Sequence, residues 1–336
     1  MAIGNLALTF RDLRKRQAPD GTIDHIIEVL EQANPIMDDI PWKQGNLPTG
    51  NLTTLRTSLP TPTLRAINRG VNPTKSSTKQ VTDTCCILQD RSQVDVELLA
   101  LEPDPQAFRR SEDDAHVEGF SQRVASMIFY GDSDANLDEF NGLSKRYASV
   151  GGEKGTTGYQ VISAGGSTAS VETSAWLIGW GERSVTGIYP KFGYAGLKQE
   201  DLGETDAFDA NNKPFRAVTT LFTWKPGLAV EDLREVAAVR NIDLSALSKS
   251  AVTAAEKRKV IESMITAKNR MRKLDGVTPI WYVSQGLYTF LETYLVDKNN
   301  VFVTRETLET GGPLLRLSGI PVKKVDCLSE TEAVIS

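Results

Sequence analysis

Apolar and polar residues alternate most cleanly between Ser174 and Tyr189. Trp176, Ile178 and Trp180 are interleaved with Ala175, Leu177 and Gly179, the period of two that sends successive side chains to opposite faces of a sheet. After Gly181 and Glu182 the alternation resumes through Val185, Gly187 and Tyr189, which predicts a hairpin closed by a short turn. Pro190, with no amide to donate to a ladder, ends it. Short strands are also predicted at residues 81–88, 94–98 and 215–224, the last preceded by the turn sequence Asp209 to Lys213. The pattern of residues 228–242 suits a strand or a helix.

Helical spacing recurs at four places. Ile23, Ile26, Ile27 and Leu30 form a stripe that Asp20 or Thr22 can cap and that Asn34 and Pro35 end. Asp104 and Pro105 open a long helix to Tyr130, with Val117, Phe120, Val124, Met127 and Ile128 on one face and Gly131 as its stop. Thr253 and Glu256 form a capping box for a helix through Leu274, closed by Gly276. Its apolar face is Val260, Ile261, Met264, Ile265 and Met271, and its other face is basic, which reads first as a solvated surface and second as a contact for DNA or an acidic neighbour. Residues 280–325 read as strand, helix capped by Ser284, then short strands at 301–303 and around Gly319, Ile320 and Pro321.

Length and composition narrow the class. A chain of 336 residues can bury a large core and is expected to divide into two subdomains, since single cores stop growing at roughly 250–300 residues. With 40% hydrophobic and 24% charged residues it is a folded chain, and no apolar run reaches the roughly 18 residues a spanning helix needs. No signal sequence is evident at the N-terminus, so synthesis in a cytoplasm and no membrane partner are expected. A net charge of −5 argues against a protein whose main task is gripping nucleic acid.

Residues 42–82 break this pattern. They carry six basic residues (Lys43, Arg56, Arg65, Arg69, Lys75 and Lys79), no acidic ones and four prolines. Alternating pieces at 52–59 and 63–67 suggest two strands of a long hairpin that could not bury a core by itself. It is either a solvated loop or an arm laid across another subunit, and an all-positive arm needs acidic partners. Two acid-rich stretches, residues 97–118 and 200–209, supply them in a symmetric assembly.

Catalytic motifs are missing. His25 and His116 lie far apart, outside any metal-ligand spacing, and Cys85, Cys86 and Cys327 form neither a disulfide framework nor a metal motif, so buried free thiols are expected. Residues 132–136 imitate the start of a calcium loop, but Leu137 and Leu143 stand where its glycine and bidentate glutamate belong. The glycine-rich residues 151–166 lack a phosphate-loop signature and are expected to be a mobile loop, and Ala169 spoils a nucleophile elbow at Gly165 to Ala169. No enzymatic activity, cofactor or metal is expected.

Taken as residue strings, WLIGWG, VTGIYPK, AGL and EDLGE, followed by WYVSQGLYTFLETYL and LSGIPVKKVDCL, resemble the major capsid proteins of tailed bacteriophages, especially short-tailed ones. The resemblance implies an α+β, Hong Kong 97-like fold. It divides into an N-terminal arm (1–41), an extended β-hairpin loop (42–88), a peripheral domain with a spine helix at 104–130 and a β-sheet (89–252), and an apical domain (253–336). Strands at 174–242 precede the WYVS and GIPV strings, which implies a permuted strand order. The implied function is a subunit of an icosahedral shell, built from hexamers and pentamers of itself around double-stranded DNA in a virion made in a bacterial cytoplasm. Portal and scaffolding proteins, and a decoration or cement protein, are the implied partners. The six basic residues are the expected intersubunit contacts. Some relatives cross-link through lysine and asparagine; Lys75 or Lys79 could donate, but no acceptor stands out and no cross-link is predicted. An encapsulin-like shell around enzyme cargo is the alternative, and a DNA-binding module a third reading.

Overall fold

The computed structural model describes residues 34–101, 103–168, 171–209, 211–248, 254–272, 276–294, 303–307 and 313–336. The stripe at Ile23 to Leu30, the Thr253 cap and residues 301–302 lie outside the described residues. In chain order come α1 (Ile36–Asp39), β1 (Trp42–Gln44), β2 (Gly50–Ser58), β3 (Ser77–Thr84), β4 (Leu88–Asp95), α2 (Val96–Ala100), α3 (Pro105–Tyr130), α4 (Leu143–Arg146), β5 (Val161–Ser163), β6 (Glu172–Trp180) and β7 (Val185–Tyr189). Then follow β8 (Lys198–Phe208), β9 (Pro214–Trp224), β10 (Gly227–Val230), β11 (Val236–Asp243), α5 (Leu244–Ser248), α6 (Ala254–Arg270), β12 (Thr278–Val283), α7 (Gln285–Tyr294), β13 (Val303–Thr307), β14 (Pro313–Leu317) and β15 (Ile320–Lys324).

A ten-stranded mixed sheet carries the main path β1-β7-β6-β12-β15-β14-β13, with β10 on β7 and β11 between β5 and β6. All nine residues of β6 are buried. Its alternation sorts two cores: Trp176, Ile178 and Trp180 face Phe120, Val124, Ile128 and Phe129 of α3, whereas Ala175 and Leu177 face Val260, Ile261 and Met264 of α6. The indole nitrogens are satisfied, Trp176 donating to Ser174 Oγ (2.9 Å) and Trp180 to the Tyr282 hydroxyl (2.8 Å). The expected hairpin of β6 with β7 does not form. Both edges of β6 are occupied by antiparallel β11 and β12, and β7 touches it only at Trp180 and Val185, in parallel.

A separate three-stranded antiparallel sheet, β4-β9-β8, packs under α3. Residues 172–189 and 227–243, grouped above with the spine helix, are therefore hydrogen-bonded into the sheet that also holds β12 to β15; only residues 198–224 leave it to join β4. Several smaller expectations also shift. The alternation at 94–98 ends as helix because Asp95 caps α2 through Glu97 N, and residues 228–242 fall in β10 and β11 with a 3-10 turn at Leu233–Glu235 between them. Residues 158–163, expected as mobile loop, form a short 3-10 turn and β5, which pairs with β11.

The long helix follows its sequence signals. Asp104 Oδ1 accepts from Gln106 N (3.1 Å) and Ala107 N (3.0 Å), and the Gly131 amide donates to Met127 O. At about 1.5 Å per residue it spans roughly 39 Å. Phe120, Val124, Met127 and Ile128 are buried, but Val117 is exposed. Asp104→Ala is expected to cost about 1 kcal/mol of unfolding free energy, read by urea denaturation, because two first-turn amides lose their acceptor.

Candidate assembly surfaces

The arm is a two-stranded antiparallel ribbon standing off the body. β2 and β3 pair from Gly50 with Thr84 to Ser58 with Ser77, with an irregularity after Arg56. The second strand is thus residues 77–84 rather than 63–67. Pro60 and Pro62 interrupt the first alternation, and residues 59–76 cross the tip with only a turn at Ala66 to Arg69, where Arg69 N donates to Ala66 O. Every residue from Arg56 to Gln80 is exposed, and Leu59 (72%) and Ile67 (91%) are among its apolar members. Neither two strands nor these side chains can stabilise such a ribbon alone.

What fixes the arm is its root. Asp83, 2% exposed, receives Arg146 Nη1 at 2.6 Å on Oδ1 and Val230 N at 3.3 Å on Oδ2. Arg146 also donates to Leu228 O (3.1 Å) and Asn141 O (3.0 Å). Gly50 lies so close to β3 that a Cβ would fall 1.9 Å from Asp83 O. Sequence reasoning passed over this clamp, although Asp83 is the first acid after the acid-free stretch.

The six expected contact residues separate into two groups. Lys43 is at the root, ion-paired with Glu231 and donating to Glu182 O (3.0 Å). Arg56, Arg65, Arg69, Lys75 and Lys79 lie along the exposed arm, where Arg65 Nε donates to Arg69 O (2.7 Å) and the other four make no ion pair with a described residue. The acidic stretches face solvent on α3 and β8, partly matched by their own cations: Arg109 meets Asp201 (3.2 Å) and Arg216 meets Glu204 (3.0 Å). On α6 Arg258 pairs with Glu262, Lys268 donates to Ser318 O and Arg270 to Tyr159 O, and just past its end Arg272 pairs with Asp232.

Asp132 and Asp134 both close on Lys145, which holds the Asp132 carboxyl below its usual range, and no cluster suited to a metal occurs among the described residues. His116 Nδ1 lies 2.7 Å from Asp90 and its ring stacks on Phe222. Cys86 is buried and Cys85 and Cys327 are half-buried; desolvation pushes all three thiols up to about 12, away from the reactive thiolate.

Comparison with known proteins bears on this architecture directly. The profile of the major capsid protein GP7 family matches residues 18–336. A chain of the bacteriophage Epsilon15 structure is similar at 28% identity and TM-score 0.74, covering 100% of this chain and 99% of that one. The bacteriophage JBD30 capsid shares the fold at 10% identity and TM-score 0.50, covering 91% of this chain and 95% of that one. An encapsulin from Synechococcus elongatus is similar more weakly, at 12% identity and TM-score 0.44 over 70% of this chain and 97% of that one. No curated protein matches. The α+β fold is Hong Kong 97-like, and the chain belongs to the major capsid protein GP7 family.

Proposed function

We propose that many copies of this chain close an icosahedral head shell, as hexamers and pentamers, around double-stranded phage DNA. The observation that carries this reading is the arm: a ribbon clamped at its root through Asp83, exposed from Arg56 to Gln80 and charged there only by basic residues, in a chain of the major capsid protein family. The arm lies on a neighbour, and its acidic partners are the surfaces of α3 and β8. The role is structural, without catalysis. Assembly would take place in a bacterial cytoplasm with portal and scaffolding proteins, and a decoration protein could bind the finished shell. The body divides into residues 42–88 as the extended loop, the long helix with β4, β8 and β9 as the peripheral part, and the large sheet with α6 and α7 as the apical part.

Charge reversal tests this. The double variant Arg56→Glu, Arg65→Glu should fold normally by circular dichroism. Its shell yield in sedimentation velocity should fall more than about tenfold, the factor that about 1.4 kcal/mol carries. Wild-type yield in that variant would remove the arm from the contacts.

A further inference from the structure

The loop from Pro190 to Gly196 joins the large sheet to β8, and its Phe192 is held in an unusual way. Gly193 N donates to Pro190 O (2.8 Å), closing a tight turn, and Lys191 N donates to Leu47 O (3.1 Å), tying it to the arm root. Phe192 sits third in that turn with φ 70°, the position where glycine is favoured, yet its side chain is 84% exposed. So bulky a residue is strained there, and so exposed a ring has little packing in its own subunit to offset it. Tyr194 is exposed beside it, with Lys198 Nζ 5.6 Å from its ring centre.

A matching concavity lies between β4 and α3. Leu88, Ala115, Gly119 and Phe120 line a groove of about 400 Å³, with the Asp90–His116 pair and Arg123 at its sides. Gly119 is in the middle of α3, where glycine is disfavoured, and a Cβ added to it would meet nothing within 4 Å. Packing within the subunit therefore does not demand a glycine, while its missing side chain widens the groove.

We propose that Phe192 is an aromatic knob that inserts into this groove on a second copy of the chain. Strand register places the two features at the same end of the three-stranded sheet and on opposite edges. Lys198 pairs with Thr223, and Thr223 pairs with Gln89. A knob on the β8 edge and a hole on the β4 edge form a head-to-tail contact, the kind that closes a ring of identical subunits. Lys191 and Lys198 flank the knob, Lys198 paired with Glu200, and the groove and its continuation carry both signs, Asp90 and Glu112 beside Arg91 and Arg123, so the apolar ring rather than net charge sets the fit. This inference rests on the shell reading and names one of its contacts.

The test separates the knob from a merely structural loop. Phe192→Gly should keep or raise the thermal stability of the subunit, because glycine suits the turn, while lowering shell yield at least tenfold. Gly119→Leu should leave helix content unchanged and lower yield similarly. In the double variant Phe192→Cys, Gly119→Cys, oxidation of assembled material should give a ladder of covalent oligomers on non-reducing gels that neither single variant gives. If wild type and Phe192→Gly assemble to the same yield, the knob is overturned while the shell reading stands. Oxidised double variant that runs only as monomer overturns the pairing with the groove.

Discussion

Asp83→Ala should lower the unfolding free energy by about 3–5 kcal/mol and free the arm from its fixed direction. The carboxylate is 2% exposed and anchors β3 to both Arg146 (2.6 Å) and the Val230 amide (3.3 Å). Removing it strands a guanidinium that is itself only 13% exposed and that also donates to Leu228 and Asn141. An uncompensated buried charge is costlier than the loss of one hydrogen bond. Urea unfolding gives the stability term, and limited proteolysis within residues 59–76 reports the arm. Asp83→Asn, which keeps the shape and one neutral acceptor, should lose less. Equal stability and equal cleavage for Asp83→Ala and wild type would show that the root is not a clamp.

Glu332→Ala should be comparably damaging, about 3–5 kcal/mol, from the other end of the chain. Its Oε1 accepts from the Tyr130 hydroxyl (2.5 Å) and Ser174 Oγ (2.7 Å), and its Oε2 lies 3.1 Å from Arg240 Nε. Arg240, 6% exposed, lies over the Trp176 ring at 5.6 Å. Burial, and then the Glu332 charge, push the Tyr130 hydroxyl up, so it remains a donor at any ordinary pH. This one carboxylate ties the end of α3, the centre of the large sheet and β11 together, and Asn241 holds the Ile335 backbone beside it through two hydrogen bonds. The loss should appear in urea unfolding with an unchanged slope, since the fold itself persists. Glu332→Gln, which retains hydrogen bonding without the charge, should fall between the two.

Local signals were legible in the sequence where the physics is local. Asp104, Pro105 and Gly131 bound the long helix because capping depends on residues one to four positions away. Trp176, Ile178 and Trp180 declared a strand for the same reason. What they could not declare was the partner: a strand buried on both faces looks the same whether its neighbour is the next segment or one 100 residues on, and β6 takes β11 and β12. The arm was visible as a composition, but its return strand was displaced because residues 63–67 alternate without a partner to pair with. The clamp of Asp83 with Arg146 and the latch of Glu332 with Arg240 join residues 63 and 92 positions apart, and nothing in the spacing of charges along a chain marks such pairs. The family resemblance was carried by residue strings in β6, β7, β12 and β15 of the large sheet, with AGL just before the exposed β8 and EDLGE within it.

The central claim is that this chain assembles with itself into a shell. Negative-stain electron microscopy of the purified, overexpressed protein tests it most directly, alone and co-expressed with portal and scaffolding proteins. Uniform closed shells, or rings of five and six subunits, are the expected images. A monomer under every condition would contradict the account.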